Sequence, residues 1–476
     1  YLRGSYTKED IKEFVDYGES FGVELVPCIQ TLGHMYQALK WGPLHHFKDG
    51  EDNLLVDYPE TYKFIEDMIS FCRDCFKSKE IHIGMDESTE MGLKRYLRLY
   101  GHKDRVAMFS RHLAKVMAIC QKYDFLPMIW SDMYFRLNSQ DEEYYIKTPL
   151  PESTLKLVPP DVKLVYWDYY HDDSTYLNMI KFHKQTNNPI IFAGGSWRWK
   201  GHAPAIETSM VFTEKALGAC IDEKVDEVFI TAWGDNGNEC SFFSALPVMA
   251  QASIYNFIGS NSEEDINSLL VALTDETLVD FKTMDLPDQP AKKRLAPSYN
   301  PSKFLLYQDL LLGIFDCQVK EDFSKNYAEF AEILRKNGNK SKRYKYVYEN
   351  LASLCKFLSY KADLGIKIRN AYREDNKTEL AKSLATISMA LDSLNAFHES
   401  VKNQWMMECR MFGYEVLDGR LGFLKNRMIS AAERINDYLN GKINKIEELE
   451  KDILPYDGID YEVQCNNWYR IVSPSD

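Results

Sequence analysis

The sequence lacks the marks of several large protein classes. Its 476 residues contain no apolar run long enough to cross a membrane. Positive charge is in deficit, with 57 lysines and arginines against 71 aspartates and glutamates and a formal net charge of −14. Such a chain would repel nucleic-acid phosphates. We therefore expect neither a membrane nor a nucleic-acid partner, and a neutral carbohydrate ligand fits the charge better.

Close cysteine pairs are almost absent. The ten cysteines are scattered, and most lie within apolar runs where a thiol packs as a small hydrophobe. Only Cys72 and Cys75 are neighbours, and no second pair or histidine pair completes a zinc site. The chain opens at Tyr1 without a signal peptide. These features predict a cytoplasmic protein in a reducing setting, with no metal and no cofactor.

A glycine-rich phosphate loop is missing after the first predicted strand, which argues against a nucleotide-binding sheet. Helices and apolar strands alternate through the first half of the chain, as in a parallel sheet covered on both faces. Polar and aromatic residues gather after nearly every strand, where β/α barrels build their active sites. We predict an α/β fold of the (β/α)8 TIM-barrel type, with strands at 23–29, 81–85, 125–130, 162–167, 189–193 and 227–233.

Helix signals lie between these strands. Thr7 and Asp10 are spaced as a capping box that begins a helix over residues 7–22. Asp57 is predicted to cap a second helix, with Pro59 near its first position.

Only about six strands are visible, whereas a closed barrel of this class has eight. The first two strands are therefore predicted to be missing from this chain. From residue 260 onward, strand patterns give way to long amphipathic stretches. We predict a barrel with strands three to eight at 1–259, a connecting segment at 260–300 and a mainly α-helical region at 301–476. Its apolar helix faces are compatible with a homodimer, and packing within one chain explains them equally well.

Two adjacent carboxylates, Asp86 and Glu87, follow the strand at 81–85. Two acids at the tip of a buried strand resist ionising together, so folds tolerate them mainly where chemistry needs separated pKa values. The structural alternative is a helix N-cap followed by a first-turn acid. The surrounding pattern His-x-Gly-x-Asp-Glu, completed by His82 and Gly84, favours the catalytic interpretation.

This pattern resembles the signature of the family 20 glycoside hydrolases, the exo-β-N-acetylhexosaminidases. The resemblance spans roughly residues 1–259, and Trp-Gly-Asp-Asn-Gly at 233–237 is similar to an intracellular bacterial branch of the family. It implies retaining hydrolysis of terminal, non-reducing β-linked GlcNAc or GalNAc. In such substrate-assisted enzymes the substrate's own 2-acetamido oxygen closes onto C1 and forms an oxazolinium ion.

The resemblance also implies roles for individual residues. Glu87 is implied as the general acid that later becomes the base, and Asp86 as the residue that orients the acetamido group. His34, in a Thr-Leu-Gly-His segment, is implied to support Glu87 through hydrogen bonds; an exposed loop histidine is the alternative. The family's Tyr-x-Asp is missing, so Tyr169 is the substitute that holds the acetamido oxygen, with Tyr134 behind it.

Aromatic residues stand near the ends of several predicted strands, where their faces would pack on the apolar C–H surface of a sugar ring. After the last strand the family's Trp-x-Glu is altered, and one of two nearby acids is implied to bind the 4- and 6-hydroxyls. Loop capping by those acids is the structural alternative. The predicted substrate-binding residues are Trp130, Trp167, Trp197, Trp233, Asp235 and Glu239.

Two other functions stay open at this point. The missing strands, the first of which carries a sugar-binding arginine in the family, allow a catalytically silent carbohydrate-binding barrel. A substrate-assisted hydrolase that removes O-linked GlcNAc from proteins is the second alternative. The sequence does not separate GlcNAc from GalNAc, because the 4-hydroxyl epimers differ by one hydrogen-bond direction.

Overall fold

The computed structural model of the protein describes most of the chain, namely residues 2–292, 296–456 and 463–475. The chain forms two compact units. The first, called the sheet unit, comprises Ser5–Gly194 and Glu214–Phe229. The second, called the helical unit, comprises residues 2–4, Gly195–Thr213 and the described residues from Ile230 onward. No helix within the three described stretches has the length and apolar character needed to cross a membrane.

One sheet organises the first half of the chain. Its strands are β1 Glu80–His82, β2 Leu126–Trp130, β3 Lys163–Trp167, β4 Ile190–Gly195 and β5 Glu227–Thr231. They lie side by side in chain order, and the pairs from β1 to β4 run parallel. The predicted α/β fold with a parallel sheet is therefore confirmed as an open half-barrel, and an eight-stranded barrel is not shown.

The first predicted strand, at residues 23–29, is wrong in extent. Only Cys28 makes a parallel bridge, to His82. The backbone N–H of His82 donates to the carbonyl of Pro27, and Ile29 donates to the carbonyl of His82, both at 2.9 Å. Because Pro27 has no N–H to donate, the ladder does not extend toward residue 23.

Helices connect the strands, as the alternation predicts. Those before β5 are α1 Lys8–Ser20, α2 Tyr36–Leu39, α3 Pro59–Cys75, α4 Arg95–Tyr100, α5 Arg105–Lys122, α6 Asp132–Arg136, α7 Glu152–Leu155, α8 Asp173–Lys184 and α9 Ile206–Asp222, with a 3-10 helix at Gly42–Phe47. The predicted capping box of α1 is confirmed, since the side chains of Thr7 and Asp10 each accept the other's backbone N–H.

Asp57 was predicted as the cap of α3, and this is wrong. The N-cap is Tyr58, because Asp57 has a φ of +62° rather than the extended backbone of a capping residue. The Asp57 carboxylate instead pairs with Arg111 and Lys115 on α5, at 2.7 and 2.8 Å. It therefore ties the start of α3 to α5.

The two faces of the sheet bury different side chains, because side chains alternate along a strand. One face packs into the large core that contains Ile65 of α3 and Leu113 of α5, and it contributes Ile129, Leu164, Tyr166 and Phe192. The opposite face forms a small separate cluster of Met128, Trp130, Val165, Ile191 and Ala193. Trp130 thus lies on the face turned away from these helices.

The helical C-terminal region predicted from the amphipathic pattern is confirmed. The helices that follow β5 are α10 Leu246–Ile258, α11 Glu263–Thr274, α12 Leu278–Lys282, α13 Pro301–Tyr307, α14 Phe323–Lys340, α15 Lys345–Lys361, α16 Leu364–Arg373, α17 Lys377–Glu408, α18 Tyr414–Leu439, α19 Glu447–Glu450 and α20 Trp468–Val472, with 3-10 helices at Asp235–Gly237, Phe242–Ala245, Thr283–Asp288 and Asp316–Gln318. Those from α13 onward lie in the region predicted at 301–476.

The predicted domain boundaries at 259 and 300 stay predictions. The segment at 260–300, expected to be a connection, holds α11, α12 and a 3-10 helix, and its residues 293–295 lie outside the described part of the chain.

Candidate active site

The backbone turns sharply where β1 ends. Gly84, Met85 and Glu87 have φ values of +70°, +79° and +48°. A Cβ on Gly84 would lie 1.9 Å from Oε1 of Gln30, so only glycine fits there. Met85 and Glu87 each hold a left-handed conformation that costs about 1–3 kcal/mol and persists only where the surroundings enforce it. This strained turn carries the two adjacent carboxylates.

Asp86 is held on both of its oxygens. Gln30 donates from Nε2 to Oδ1 of Asp86 at 3.0 Å, and its Oε1 accepts the N–H of Met85 at 3.2 Å. Nε2 of His34 lies 3.2 Å from Oδ2 of Asp86, whose side chain is 13% exposed. The carboxylate is therefore mostly buried and fixed in orientation.

His34 lies among three carboxylates. Its Nε2 is 3.7 Å from Oε2 of Glu87, its Nδ1 is 3.8 Å from Oδ2 of Asp52, and its backbone N–H donates to the same Asp52 oxygen at 3.2 Å. The hydrogen bond to Asp86, helped by the surrounding negative charges and opposed by burial, raises the pKa of His34 to about 9. His34 is thus a cation at neutral pH, and its closest carboxylate is Asp86 rather than Glu87.

Glu87 meets a different set of groups. Its backbone N–H donates to Oδ2 of Asp132 at 3.0 Å, and Nη2 of Arg136 lies 3.3 Å from its Oε1. Nε of Arg136 donates to the same Asp132 oxygen at 2.9 Å. Burial, together with the charge of Asp86, raises the pKa of Asp132 to about 7. The Glu87 side chain is 47% exposed, so it has access to solvent and to a substrate.

Four of these neighbours were missed from the sequence, namely Gln30, Asp52, Asp132 and Arg136. Gln30 and Asp132 stand in the polar clusters after predicted strands, which is the signal that marks them. Asp52 follows no strand and Arg136 lies at the end of α6, beyond the polar cluster after β2. Nothing in the local pattern separates these two from other loop and helix charges.

Among the predicted aromatic residues of the sheet unit, Trp130, Tyr169 and Tyr134 are buried and Trp167 is partly exposed. Trp130 is buried against the ring of His82, with the centroids 4.4 Å apart. Tyr169 stacks on Trp167 at 5.5 Å, and Arg136 lies 5.9 Å from the Trp167 ring. Tyr134 lies in the large core with its hydroxyl 3.2 Å from that of Ser110, so it is a poor substitute for Tyr169.

The remaining predicted residues belong to the helical unit. Trp197 is buried and stacks on Trp199 at 5.1 Å, whereas Trp233 is 38% exposed. Glu239 is buried, and its carboxylate lies 3.0 Å from Nζ of Lys303 and 3.0 Å from Nη1 of Arg420. Burial alone would raise its pKa, but these cations outweigh burial and lower the pKa of Glu239 to about 2.

Comparison with known proteins gives two family matches. The model described as glycosyl hydrolase family 20, catalytic domain, matches residues 1–194. The model described as glycoside hydrolase 20C C-terminal domain matches residues 277–467. The first match contains the strained turn with its two carboxylates, and the second contains most of the helical region.

Individual relatives match over shorter lengths. The chain is 31% identical over 87 residues to a lacto-N-biosidase of Bifidobacterium bifidum, covering 17% of this chain and 8% of that protein. It is 30% identical over 146 residues to a β-hexosaminidase of Akkermansia muciniphila, covering 27% of this chain and 29% of that protein. The chain thus spans less than a third of either relative. A solved chitobiase of Flavobacterium johnsoniae aligns with 98% of this chain and 68% of its own, at 13% identity and a TM-score of 0.41.

Proposed function

Because this chain belongs to glycoside hydrolase family 20, we propose that it is an exo-β-N-acetylhexosaminidase that removes terminal β-linked GlcNAc or GalNAc by a retaining, substrate-assisted mechanism. The observation that carries the proposal is the Asp86–Glu87 pair, whose members share His34 but otherwise bind different groups. We further propose that the sheet is part of a (β/α)8 barrel, whose active site lies at the carboxyl ends of its strands.

Asp86 is proposed to orient the acetamido group. Gln30 and His34 fix its carboxylate, and each carboxylate oxygen can accept more than one hydrogen bond. The acetamido N–H would donate to Asp86 while its carbonyl oxygen attacks C1. The fixed negative charge then stabilises the positive charge that develops on the nitrogen of the oxazolinium ion.

Glu87 is proposed as the general acid and base. It would protonate the leaving oxygen in the first step and take a proton from water in the second, as microscopic reversibility requires. Its half-exposed side chain suits a group that must meet both the aglycone and water. Arg136 and the buried Asp132 fix its position from two sides.

The sugar-binding residues are proposed from the sequence pattern. Tyr169 is proposed to hold the acetamido oxygen, and Trp130, Trp167, Trp197 and Trp233 are proposed as sugar-binding aromatic residues. Asp235 is proposed to accept from the 4- and 6-hydroxyls. Glu239 is a weaker candidate for that role, because its buried carboxylate already forms ion pairs with Lys303 and Arg420.

Release of a chromogenic phenol from aryl N-acetyl-β-glucosaminide and N-acetyl-β-galactosaminide tests the proposal. We expect turnover by the parent chain and a fall in kcat/KM of at least about 10²-fold in Glu87→Gln and in Asp86→Asn. The matched control is Glu90→Gln, because the Glu90 side chain is 46% exposed and its carboxylate pairs with Lys94. That variant should retain the parental kcat/KM.

Other outcomes separate the alternative functions. A folded parent chain that binds N-acetylglucosamine without turnover would support a carbohydrate-binding role. Activity confined to glycopeptides with O-linked GlcNAc would support the protein-directed hydrolase. Equal activity in Glu87→Gln and the parent chain would refute the assigned acid.

A further inference from the structure

The loop after β5, residues 233–241, has an unusual backbone. Asn236, Gly237 and Asn238 have consecutive φ values of +53°, +126° and +54°. A Cβ on Gly237 would lie 2.5 Å from Nη1 of Arg420, and one on Gly234 would lie 2.4 Å from Oδ1 of Asn238. Gly237 adopts its φ without a steric cost, but a left-handed backbone is unfavourable for Asn236 and Asn238, and such a loop persists only where its surroundings fix it.

Three side chains from C-terminal helices of the same unit bind Glu239, at the end of this loop. Nζ of Lys303, on α13, lies 3.0 Å from Oε2 of Glu239. Nη1 of Arg420, on α18, lies 3.0 Å from Oε1, and the hydroxyl of Tyr307 donates to the same oxygen at 2.9 Å. The side chains of Lys303 and Glu239 are 0% and 1% exposed. We call Glu239, Lys303, Arg420 and Tyr307 the anchor cluster.

The anchor cluster also binds the strained backbone directly. Arg420 Nη1 donates to the carbonyl of Asn236 at 2.5 Å, and Lys303 Nζ donates to the same carbonyl at 3.4 Å. On the other side of the loop, the buried Arg198 donates to the carbonyl of Trp233 at 3.2 Å and to Oδ1 of Asn238 at 2.6 Å. Cations therefore hold the loop on both sides of Asp235.

Stability alone is a poor explanation of the anchor cluster. Removing three charges from water is expensive, and apolar residues of similar volume commonly replace a buried ion pair at no loss of stability. The charged groups instead fix the orientation of the loop, because they bind one of its carbonyls and one of its carboxylates. The anchor cluster thus fixes the position of the residues between this carbonyl and this carboxylate.

We propose that Glu239, Lys303 and Arg420 are positioning residues that hold the Trp233–Asp235 segment for sugar binding, so that α13 and α18 set how tightly the sugar hydroxyls are bound. This inference rests on the proposed function. Glu239 is then the anchor of the loop, and Asp235 is the residue that accepts from the hydroxyls.

Arg420→Met tests the inference, with Arg427→Met as its matched control. Arg427 lies two turns further along α18, and its Nε pairs with the buried Asp309 at 2.7 Å. Both variants remove an arginine from a buried carboxylate, but only Arg420 contacts the loop. We expect Arg420→Met to raise KM for aryl N-acetyl-β-glucosaminide about tenfold with kcat changed less than about twofold, and Arg427→Met to leave KM unchanged.

Two further variants complete the test. The first is mild enough to fold, and the second shows whether Arg420 changes KM through Asp235. Tyr307→Phe removes one hydrogen bond to Glu239 and no charge, so it should fold and raise KM about two- to threefold in the same direction. Asp235→Ala should itself raise KM, and adding Arg420→Met to it should raise KM by much less than Arg420→Met does alone.

The inference is overturned if Arg420→Met and Tyr307→Phe fold with the parental KM, or if Arg427→Met raises KM as much as Arg420→Met. Full additivity of Arg420→Met and Asp235→Ala would also overturn it. A parent chain without turnover refutes the proposed function alone, and the same variants are then compared by their Kd for N-acetylglucosamine. A parent chain that neither hydrolyses nor binds these sugars refutes both.

Discussion

His34 is the residue that couples the two carboxylates of the strained turn. Its Nε2 lies 3.2 Å from Asp86 and 3.7 Å from Glu87, and its pKa is raised from 6.5 to about 9, chiefly by the hydrogen bond to Asp86. A cation between two carboxylates reduces their mutual repulsion. It therefore offsets part of the electrostatic cost of placing two acidic side chains next to each other.

The raised pKa of His34 predicts a pH-dependent contribution to stability. A group whose pKa is higher in the folded state stabilises it fully below the unfolded pKa, here 6.5, and this contribution is lost as pH rises through the folded pKa of about 9. The melting temperature of His34→Gln should thus lie below that of the parent chain at pH 6 and approach it by pH 10. The corresponding loss in free energy of unfolding should stay under about 1 kcal/mol, because the His34 side chain is partly exposed and its charge is screened by solvent.

A second histidine variant controls for general effects of pH. His102 is exposed in a loop, so His102→Gln should melt with the parent chain at every pH. If the melting temperature of His34→Gln lies below that of the parent chain by the same amount from pH 6 to pH 10, the assigned charge state of His34 is contradicted.

At the scale of elements, the turn after β1 determines where the two carboxylates point. Its Gly84 combines a φ of +70° with a Cβ position 1.9 Å from Gln30, and that glutamine also binds Asp86. The turn and the carboxylate thus share one supporting side chain. Any side chain at residue 84 must displace it.

Two glycine substitutions separate backbone strain from this steric conflict. Gly22 has a φ of +71° with no atom within 4 Å of its Cβ position, so Gly22→Ala meets strain alone. It should lower the free energy of unfolding by about 1–2 kcal/mol and leave kcat/KM unchanged. Gly84→Ala should cost about 1–3 kcal/mol more and also lower kcat/KM, because Gln30 must move. Urea unfolding and the aryl assay measure both effects, and equal results for the two variants would contradict this account of the turn.

At the scale of the whole molecule, sequence patterns predicted those features of the fold that depend on residues close together in the chain. Alternating helices and apolar strands predicted the parallel sheet, and the Thr7–Asp10 spacing predicted the cap of α1. The strand at 23–29 was overpredicted because apolar character alone does not show that Pro27 interrupts the ladder. Asp57 was assigned to a cap because its distant partners, Arg111 and Lys115, have no local signature.

The candidate site shows the same limit. The motif identified Asp86, Glu87 and His34, which the structure places within 4 Å of one another in the pairs His34–Asp86 and His34–Glu87. Their supporting residues come from distant parts of the chain: Gln30 is 56 residues from Asp86, and Asp132 is 45 residues from Glu87. The pairing of Glu239 with Arg420, 181 residues away, likewise has no local signature in the sequence. Contacts of that kind depend on tertiary structure, and no spacing rule reports them.

The central claim is that the substrate's own acetamido oxygen attacks C1 while Asp86 aligns it, and one substrate series tests it directly. Aryl β-glucosaminides carrying N-acetyl, N-fluoroacetyl, N-difluoroacetyl and N-trifluoroacetyl groups differ mainly in the nucleophilicity of that oxygen. We predict that kcat/KM of the parent chain falls steeply and progressively with each fluorine. A kcat/KM that is independent of fluorine content, or equal turnover of the aryl β-glucoside that lacks the acetamido group, would contradict the claim.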